Sequence, residues 1–375
     1  MSGKSVVIAG GGVIGLALGW RLAEEGALVT LIDAGAEAPA ATNAAAGMLA
    51  PSFEHCGGAV AEPLYDLSLA SLKRWPDFAA RLEAATGVPI DFRRDGVMGV
   101  AFDTESAAEF AQTAADIDVR GGNVRILNRE RAIAREPSLS DRTVAALWAP
   151  DDAQVDPRLL SAALRRAIKR HGGTLIDGRV RDVAPKGAGL IATTHDGASF
   201  LADAVVIAAG VTTARIGLPA PQPPIFPVKG EALALKCDGL GPKCVVRAPG
   251  AYICPKADGR LVIGATAVPH ETSLDPSPEA IEILKAAAIA AAPSIRDCPE
   301  LERWAGLRPA TPDGAPVLGA DSRGPANLYF AVGHYRNGVL LAPETAALLA
   351  PAILSGKPLR TNPFRPERFA SAATV

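Results

Sequence analysis

The chain has 375 residues, 49% of them hydrophobic and 21% charged, and a formal net charge of −2. The chain is longer than a domain with a single hydrophobic core usually is, so two domains are predicted. The near-neutral charge predicts no nucleic-acid partner and no attraction to anionic membranes. The chain contains no run of about eighteen apolar residues, which argues against a membrane-spanning helix. Because the N-terminus shows no signal segment, we expect a globular protein of the cytoplasm.

Cysteine and histidine usage bears on disulfide and metal chemistry. The cysteines are odd in number and contain no C-x-x-C pair: Cys56, Cys237, Cys244, Cys254 and Cys298. This pattern argues against a disulfide framework and a zinc site, and it predicts small buried side chains in a reducing compartment. The histidines are scattered without metal-ligand spacing, so we predict no metal site.

The first predicted elements are a strand, a glycine-rich turn, a helix and a second strand. Residues 6–9 are apolar and mostly β-branched, as in a strand buried on both faces of a parallel sheet. Three glycines follow at G-x-G-x-x-G spacing: Gly10, Gly12 and Gly15. They open an apolar segment that is predicted as a helix to about Glu25, and a second buried strand over residues 28–32 then ends at Asp33.

This order of elements is typical of a dinucleotide-binding site. The first glycine permits the sharp turn, the second lets the backbone approach a pyrophosphate, and the third allows close packing of helix and strand. The pyrophosphate would lie on N–H groups at the helix start, and Asp33 would accept hydrogen bonds from ribose hydroxyls. A glycine-rich turn that binds nothing is the alternative, and the motif does not distinguish FAD from NAD.

The chain then passes through four predicted segments before it returns to the nucleotide-binding pattern. Small residues dominate residues 41–51, so this backbone could lie against a flavin and its diphosphate, or it could form an alanine-rich core helix. An amphipathic helix is predicted over residues 64–82, with Pro76 as a site for a kink. Residues 90–102 suggest a β-hairpin, and residues 104–117 suggest a helix.

A capped helix marks the return of the nucleotide-binding pattern. It is predicted over residues 158–170, with Asp156 at the N-cap and Pro157 at the first helical position. Strands are predicted over residues 178–183 and 204–209. The second strand leads into a glycine, where either another cofactor contact or a simple tight turn would use the same residues.

Five prolines between residues 217 and 227 predict a linker to an antiparallel sheet. The strands of this sheet are predicted over residues 231–235, 244–247, 252–255 and 260–267. The remaining elements are a helix over residues 277–292, a strand over residues 328–332 and a last helix over residues 344–354.

Two arginines stand in surroundings that suit a ligand. Arg308 lies between Leu307 and Pro309, and Arg336 lies in the glycine-bounded loop of residues 333–338. An arginine that is not simply solvated can hold a carboxylate through two parallel hydrogen bonds. Either arginine could instead be a structural ion-pair partner. Backbone N–H groups of the loop offer a further place to bind an anion or a flavin carbonyl.

Several segments together resemble the D-amino-acid oxidase superfamily of FAD enzymes. They are residues 10–33, 44–49, 227–231, 259–266, 306–309 and 333–338, among which AAAGML, GLRP and GHYRNG are more specific than G-x-G-x-x-G. Within the superfamily, residues 5–365 are most similar to the glycine oxidases of thiamine biosynthesis. The resemblance implies the α/β class, with a FAD-binding Rossmann-like domain of the glutathione-reductase type and a substrate domain built on a mixed or antiparallel sheet.

The resemblance also implies a discontinuous arrangement of the two domains. Residues 1–80, 148–216 and 304–375 would form the FAD domain, and residues 81–147 and 217–303 the substrate domain. FAD would be bound non-covalently by the motif glycines and by residues carried over from the family: Gly10, Gly12, Val13, Ile14, Gly15, Asp33, Ala34, Ala41, Thr42, Ala46, Gly47, Met48, Val180, His334, Tyr335, Arg336, Asn337, Gly338, Val339 and Leu340.

The same resemblance implies a substrate site and a reaction. Arg308 matches the arginine that grips the substrate carboxylate, Tyr252 matches a tyrosine that assists it, and Arg336 lies at a position also associated with substrate. The implied reaction is oxidation of a small amino acid, with glycine giving an imine, then glyoxylate and ammonia. O2 would reoxidise the flavin and give hydrogen peroxide.

Two departures from the family pattern leave alternatives open. Asp33 stands where glutamate is commoner, which keeps the hydrogen bonds, and Ala267 stands where some relatives have methionine, which could widen the pocket. Sarcosine, a D-amino acid or D-proline therefore stay open as substrates, as does an electron carrier in place of O2. A flavoprotein module of RNA modification, an NAD-binding protein without flavin, a homo-oligomer and direct transfer of the imine to a thiazole synthase also stay open.

Overall fold

The structure, a computed structural model, describes residues 3–35, 41–54, 60–359 and 361–372. These residues form eight α-helices: α1 Val13–Glu24, α2 Ala41–Ala44, α3 Ala61–Thr86, α4 Thr104–Val119, α5 Arg129–Arg135, α6 Pro157–Arg170, α7 Pro278–Ala291 and α8 Gly338–Ser355. The strands, numbered in chain order, form two large and two small sheets.

A six-stranded sheet contains five parallel strands and one antiparallel edge strand. Its strands, in spatial order, are β19 Val317–Ala320, β20 Leu328–Val332, β12 Ala204–Ile207, β1 Ser5–Ala9, β2 Leu28–Asp33 and β8 Thr174–Asp177. Val6 and Ile8 of β1 pack in the core formed with helices α1, α3, α6 and α8. Val7 and Ala9 face the opposite side, so both faces of β1 are buried, as its uniformly apolar sequence predicts.

A three-stranded antiparallel sheet covers that opposite side of the parallel sheet. It consists of β11 Ser199–Ala202, β10 Gly189–Thr194 and β9 Val180–Lys186. Val183, Leu190 and Ala202 from these strands share a core with Val7 of β1. The parallel sheet therefore lies between helices on one face and a small sheet on the other.

The second large sheet is mixed and has nine strands. In spatial order they are β17 Val268–Pro269, β13 Phe226–Lys236, β16 Arg260–Gly264, β15 Ala251–Pro255, β14 Val245–Ala248, β4 Val97–Ala101, β6 Ala145–Ala149 and β5 Arg125–Asn128, and β18 Glu300–Ala310 also pairs with β13. Only the pair of β14 and β4 is parallel among the pairs that the described residues form in this sheet. A further two-stranded sheet joins β3 Met48–Leu49 to β7 Ala153–Gln154. The α/β class is confirmed.

Most of the predicted elements are present, and the best defined are those with a capping residue. Asp156 accepts hydrogen bonds from the N–H groups of Arg158 and Leu159, 2.8 and 3.2 Å away, and so starts α6 as predicted. Asp103 caps α4 in the same way by accepting from the N–H of Ser106 at 2.7 Å. The antiparallel strands predicted after the proline-rich segment are also confirmed.

Three predictions about elements are wrong. Residues 90–102 do not form a hairpin, because Arg93 pairs with Gln154 in an isolated bridge and only Val97–Ala101 is a strand, between β14 and β6. The eleven-residue strand β18 was not predicted, since its glycine and proline disfavour a strand by propensity. The last helix begins at Gly338 and not at Glu344.

The prediction that the cysteines are reduced is wrong for one pair. Cys237 and Cys298 form a disulfide, with their Cα atoms 5.3 Å apart. Cys237 directly follows β13 and Cys298 precedes β18, so the antiparallel pairing of these strands brings the two cysteines together. Cys244 and Cys254 are free and buried, as predicted, and Cys56 lies outside the described residues. The number of cysteines alone could not reveal which of them share a strand end.

Helix α8 is the one described helix that is long and apolar enough to cross a membrane. Of its eighteen residues, 67% are buried inside the protein. The helix packs against α1 and α3 and contributes Leu341, Ala346 and Leu349 to the core beside the parallel sheet. Its apolar character is therefore accounted for by contacts within the chain.

The predicted division into two domains stays a prediction. The predicted boundaries between residues 147 and 148 and between residues 303 and 304 fall inside β6 and β18, respectively. Both strands belong to the mixed sheet.

Candidate active site

A cavity of about 910 Å³ extends from the end of β1 to one face of the mixed sheet. Its main lining segments are residues 9–14, 32–35, 41–48, 178–180, 208–212, 264–267, 306–309 and 331–339. Of the predicted site residues, Gly15 and Leu340 do not line it, and all the others do. The fold thus brings together residues that are distant in sequence, and their individual binding roles stay predictions.

The glycine turn shapes one end of the cavity. Gly10 has a φ of 114°, and a Cβ at this position would lie 2.4 Å from the carbonyl oxygen of Ala208. A Cβ at Gly15 would lie 2.0 Å from the carbonyl oxygen of Gly10, so the third glycine serves packing and does not contact the cavity. The N–H of Val13 donates to the hydroxyl of Thr42 at 3.0 Å, which ties the helix start to α2. Only glycine fits at positions 10 and 15 of this motif.

The end of β2 carries an ion pair that borders the same part of the cavity. Asp33 pairs with Arg165 of α6, and Arg165 also donates to the carbonyl oxygen of Gly11 at 3.3 Å. A Cβ at Gly11 would lie 2.6 Å from the carboxylate of Asp33, so the carboxylate closes over the glycine turn. Ser161 lies one helical turn before Arg165 and lines the cavity beside it.

The alternative that residues 41–51 form an alanine-rich core helix is wrong, and their contact with a flavin stays a prediction. Residues 41–44 form the short helix α2, none of whose residues is buried, and the backbone then extends along the cavity. A Cβ at Gly47 would lie 2.0 Å from the carbonyl oxygen of Val155. The buried ammonium of Lys256 donates to the carbonyl oxygens of Ala46 and Val155, at 2.6 and 2.9 Å, and so fixes this backbone.

Arg308 and Tyr252 face the cavity from the mixed sheet, over glycines of neighbouring strands. The guanidinium of Arg308 lies over Gly230, where a Cβ would be 2.3 Å from Nη1. Nη1 of Arg308 donates to the carbonyl oxygen of Thr266 at 3.0 Å. The hydroxyl of Tyr252 lies over Gly264, where a Cβ would be 2.5 Å away. The glycines leave room for both polar groups, and Arg308 forms no ion pair with any described residue.

Three further charged side chains line this part of the cavity. Glu54 contacts Nη1 of Arg247 at 3.2 Å and Nε of Arg336 at 3.3 Å. Arg247 lies directly opposite Tyr252 on the neighbouring strand β14, so the three charged groups border the same end of the cavity as Tyr252. Burial raises the pKa of the Tyr252 hydroxyl, while the charges of Arg308, Arg247 and Arg336 act to lower it.

A buried network supports Arg308 from behind. Thr266, whose carbonyl holds Arg308, donates its hydroxyl to the carboxylate of Glu231 at 2.9 Å. Glu231 also pairs with the buried Lys229 at 3.1 Å and accepts from the N–H of Ser277 at 2.7 Å. Although burial alone would raise the pKa of Glu231, these hydrogen bonds lower it, so the residue is a carboxylate at neutral pH.

His334 and Leu340 hold the loop between β20 and α8. His334 is buried, and burial lowers its pKa to about 3. Its Nε2 lies 3.1 Å from the hydroxyl of Thr345, so the neutral ring fixes the loop to the helix. The carbonyl oxygen of Leu340 accepts from Ser71 and from Trp75 at 2.6 and 2.9 Å, and thus points to α3 and away from the cavity.

The glycine cradle, the helix start and the acid at the end of β2 fit a dinucleotide, and comparison with known proteins decides which one. A family profile described as FAD dependent oxidoreductase matches residues 5–352. The chain belongs to this family. Its cofactor is therefore FAD, and the alternative of an NAD-binding protein without flavin is excluded.

Individual members of this FAD-dependent family resemble the chain over most of its length. Glycine oxidase of Geobacillus kaustophilus is 35% identical over 351 residues, covering 92% of this chain and 91% of the relative. The crystal structure of glycine oxidase from the same species matches with a TM-score of 0.88 and 33% identity, over 98% of both chains. Iminodiacetate oxidase from Chelativorans sp. matches with a TM-score of 0.86 and 26% identity, over 97% of this chain and 99% of the other.

A fused relative extends beyond this chain. The bifunctional protein ThiO/ThiG of Synechocystis sp. is 36% identical over 377 residues, covering 98% of this chain and 54% of the relative. The chain therefore spans about half the length of that relative and nearly all of the glycine oxidases.

Five charged residues that line this FAD-family site were not predicted: Glu54, Arg165, Arg179, Arg215 and Arg247. Arg165 lies on the predicted helix α6, but which face of the helix borders the cavity depends on how the helix packs. Arg247 ends a predicted strand, but its face depends on pairing with β15. Glu54 follows the small-residue segment, and no local pattern marks it.

Proposed function

We propose that this FAD-dependent oxidoreductase oxidises a small amino acid, with glycine as the expected substrate. The observation that carries the proposal is the placement of Arg308. Its guanidinium faces the cavity over Gly230, is held by a carbonyl oxygen and lacks an ion-pair partner among the described residues. Such a group suits a substrate carboxylate, which it can hold with two charge-assisted hydrogen bonds. The names of the glycine oxidases that resemble this chain support the same choice.

The roles of the substrate-site residues follow from their geometry. Arg308 binds the carboxylate from β18, Tyr252 donates a hydrogen bond to it from β15 of the same sheet, and Arg336 borders the same space. The network of Thr266 and Glu231 keeps the guanidinium of Arg308 from turning away. Holding the α-carbon in one place in this way is a large part of the expected rate acceleration.

The cofactor cradle is proposed to follow the family pattern. The N–H groups at the start of α1 would face the diphosphate and Asp33 the ribose. The backbone of residues 46–48 and 334–339 would border the flavin. Residues 1–80, 148–216 and 304–375 would form the FAD domain, and the intervening residues the substrate domain.

The electron balance of the reaction is simple. FAD, held by the cofactor cradle, would supply the two-electron acceptor for a hydride from the α-carbon of the substrate. Loss of two electrons and two protons converts the amino acid to an imino acid, which water hydrolyses to glyoxylate and ammonia when the substrate is glycine. O2, taking up two electrons and two protons, becomes hydrogen peroxide.

The lining residues supply no obvious acid or base for the α-carbon. Among described lining residues the carboxylates are Asp33, at the ribose end, and Glu54, which is paired with two arginines. His334 is neutral and hydrogen-bonded to Thr345. The other lining histidine, His195, donates its backbone N–H to the carbonyl oxygen of Arg179 at 3.0 Å and so lies next to Val180, a predicted FAD contact. The substrate amine would therefore react in its neutral form, without a protein base.

A physiological role in thiamine biosynthesis is part of the proposal. One relative of this chain is named the bifunctional protein ThiO/ThiG, a name that assigns two functions to one polypeptide. We propose that the imine or glyoxylate produced here feeds the thiazole branch of thiamine synthesis. O2 is the proposed electron acceptor, and the location in the cytoplasm stays a prediction.

Replacement of Arg308 tests the proposed function. Arg308→Ala should retain FAD, seen as flavin absorbance of the purified protein, but lose kcat/KM for glycine. The loss of a charge-assisted bidentate contact should cost about 2–4 kcal/mol, up to about a thousandfold in kcat/KM measured by peroxide release.

Arg303→Ala is the matched control for this experiment. Arg303 is exposed and lies on the same strand as Arg308, but on the opposite face because side chains alternate along a strand. Its replacement should leave kcat/KM unchanged. A near-normal kcat/KM in Arg308→Ala would remove Arg308 from the mechanism. Sarcosine, D-alanine and D-proline, assayed beside glycine, would define the breadth of the pocket that Ala267 borders.

A further inference from the structure

The register of the mixed sheet places Arg247 on the face that carries the substrate site. Residues that lie directly opposite one another on neighbouring strands point to the same face. One such row crosses five strands: Arg247, Tyr252, Gly264, Ala232 and Trp304. Arg308 lies four residues after Trp304 on β18 and therefore shares this face. Arg247 is thus a second arginine on the same face of the mixed sheet as Arg308.

Arg308 and Arg247 reach the cavity from different strands and are held by different groups. The guanidinium of Arg308 lies over β13, whereas Arg247 projects from β14, three strands further across the sheet. Arg308 donates to the carbonyl oxygen of Thr266, and Arg247 pairs with the carboxylate of Glu54.

The charges at the Arg247 end of the cavity do not balance. Within the described part of the chain, Glu54 is the one carboxylate that pairs with Arg247 or Arg336, and it pairs with both. The side chains of Arg247 and Glu54 are 21% and 15% exposed and that of Arg336 is 49% exposed, so water screens the charge of Arg247 less than that of Arg336. The three groups together carry one net positive charge. The residues that follow Glu54, numbers 55–59, contain no acidic side chain.

The guanidinium groups retain donors for a further ligand. Glu54 engages Nη1 of Arg247 and Nε of Arg336, whereas each arginine has five N–H donors. Phe53 lies 5.4 Å from the Cζ of Arg247 and supports its position from one side. Gly250 and Ala267 border the same cavity with little or no side chain.

We infer that Arg247, together with Arg336, forms a subsite for a second anionic group of the substrate. The substrates it would select are amino acids with two carboxylates, one held by Arg308 and the other by Arg247. The second carboxylate could be carried by a side chain, as in glutamate, or by the nitrogen, as in iminodiacetate. The reaction is the same two-electron oxidation, so this inference rests on the proposed function. It adds a preference for acidic substrates over neutral ones of the same size.

Paired substrates that differ only in charge test this preference in the FAD-loaded enzyme. The D and L forms of glutamate are compared with the corresponding glutamines, and iminodiacetate with its monoamide, by peroxide release. The glutamate and iminodiacetate arms separate a side-chain carboxylate from one on nitrogen. For at least one pair, the acid should have the higher kcat/KM by about tenfold or more, the effect of one hydrogen bond to a charged group.

Variants of Arg247 separate a role in selection from a role in folding. Arg247→Gln should abolish the preference for the acid, measured within this variant as the ratio of kcat/KM for each acid to kcat/KM for its amide. Because the ratio compares two substrates of one protein, a general loss of activity does not change it. Arg247→Lys should restore part of the preference because it retains the charge. Arg303→Gln, which removes an exposed arginine from the opposite face of the sheet, should leave the preference intact. A preference that survives in Arg247→Gln would overturn the assignment.

A binding measurement makes the inference testable without turnover. Glutarate and its monoamide, glutaramate, are titrated into the enzyme while the visible flavin absorbance is followed. Glutarate should bind about tenfold tighter or more, and the difference should disappear in Arg247→Gln. Equal affinities in the wild type would overturn the subsite, even if glycine is oxidised. If no amino acid releases peroxide, the proposed function fails, and the titration still decides the subsite.

Discussion

At the scale of single residues, His334 shows how burial selects a protonation state. The ring lies in the interior at the end of β20, and burial lowers its pKa to about 3. A histidine in an exposed loop would titrate near 6.5. The glycine-bounded loop of residues 333–338 predicted a ligand site, but it could not reveal that His334 points inward to Thr345.

The buried histidine predicts a pH-dependent loss of stability. The unfolded chain takes up a proton at His334 as the pH falls through 6.5, whereas the folded chain does so only near 3. The contribution of the neutral ring is therefore complete above pH 6.5 and is lost progressively below it. Between pH 7.5 and pH 5 the loss should reach up to about 2 kcal/mol.

Urea unfolding of wild type and His334→Gln at both pH values checks this expectation. Glutamine can keep a hydrogen bond to Thr345 but does not titrate, so the variant should lose less stability than the wild type on acidification. An identical pH dependence in the two proteins would show that His334 is not the responsible group.

At the scale of secondary-structure elements, the sequence predicted those helices and strands that depend on interactions between residues close together in the chain. The order of β1, α1 and β2 follows from an apolar run, glycines and an acid, and Asp156 starts α6 through its own side chain. Strand β18 was missed because its formation depends on pairing with β13. Gly306 pairs with Gly230 of β13, 76 residues earlier in the chain, and no neighbouring residue signals that pairing. The hairpin over residues 90–102 was wrong for the same reason, since β4 pairs with distant strands.

The pairing of β13 with β18 predicts the oxidation state of two cysteines. Of the five cysteines, Cys237 and Cys298 are joined, so the denatured, non-reduced protein should titrate three thiols. Reduction should raise the count to five. The double variant Cys237→Ser, Cys298→Ser should titrate three thiols under both conditions. Five thiols in the non-reduced wild type would contradict the disulfide.

At the scale of the whole molecule, the site exists only because distant segments converge. The dinucleotide fingerprint was predictable from spacing, whereas FAD, Arg308, Tyr252 and Arg336 were predictable through resemblance to a family. Arg165 and Arg247 were not, because the side of the cavity they face is decided by helix packing and by strand register. What the sequence did not show is therefore the charge that surrounds the predicted contacts. The proposed preference for acidic substrates over glycine depends on that charge.

A crystal structure of the FAD-loaded protein with glycolate, a small acid that lacks the amine, would show whether Arg308 binds a carboxylate beside the flavin. We expect the flavin ring in the cavity between residues 46–48 and the mixed sheet, with the carboxylate of glycolate on Arg308 and within reach of the Tyr252 hydroxyl. A flavin bound elsewhere, or a guanidinium of Arg308 directed to bulk solvent and away from the ligand, would contradict it.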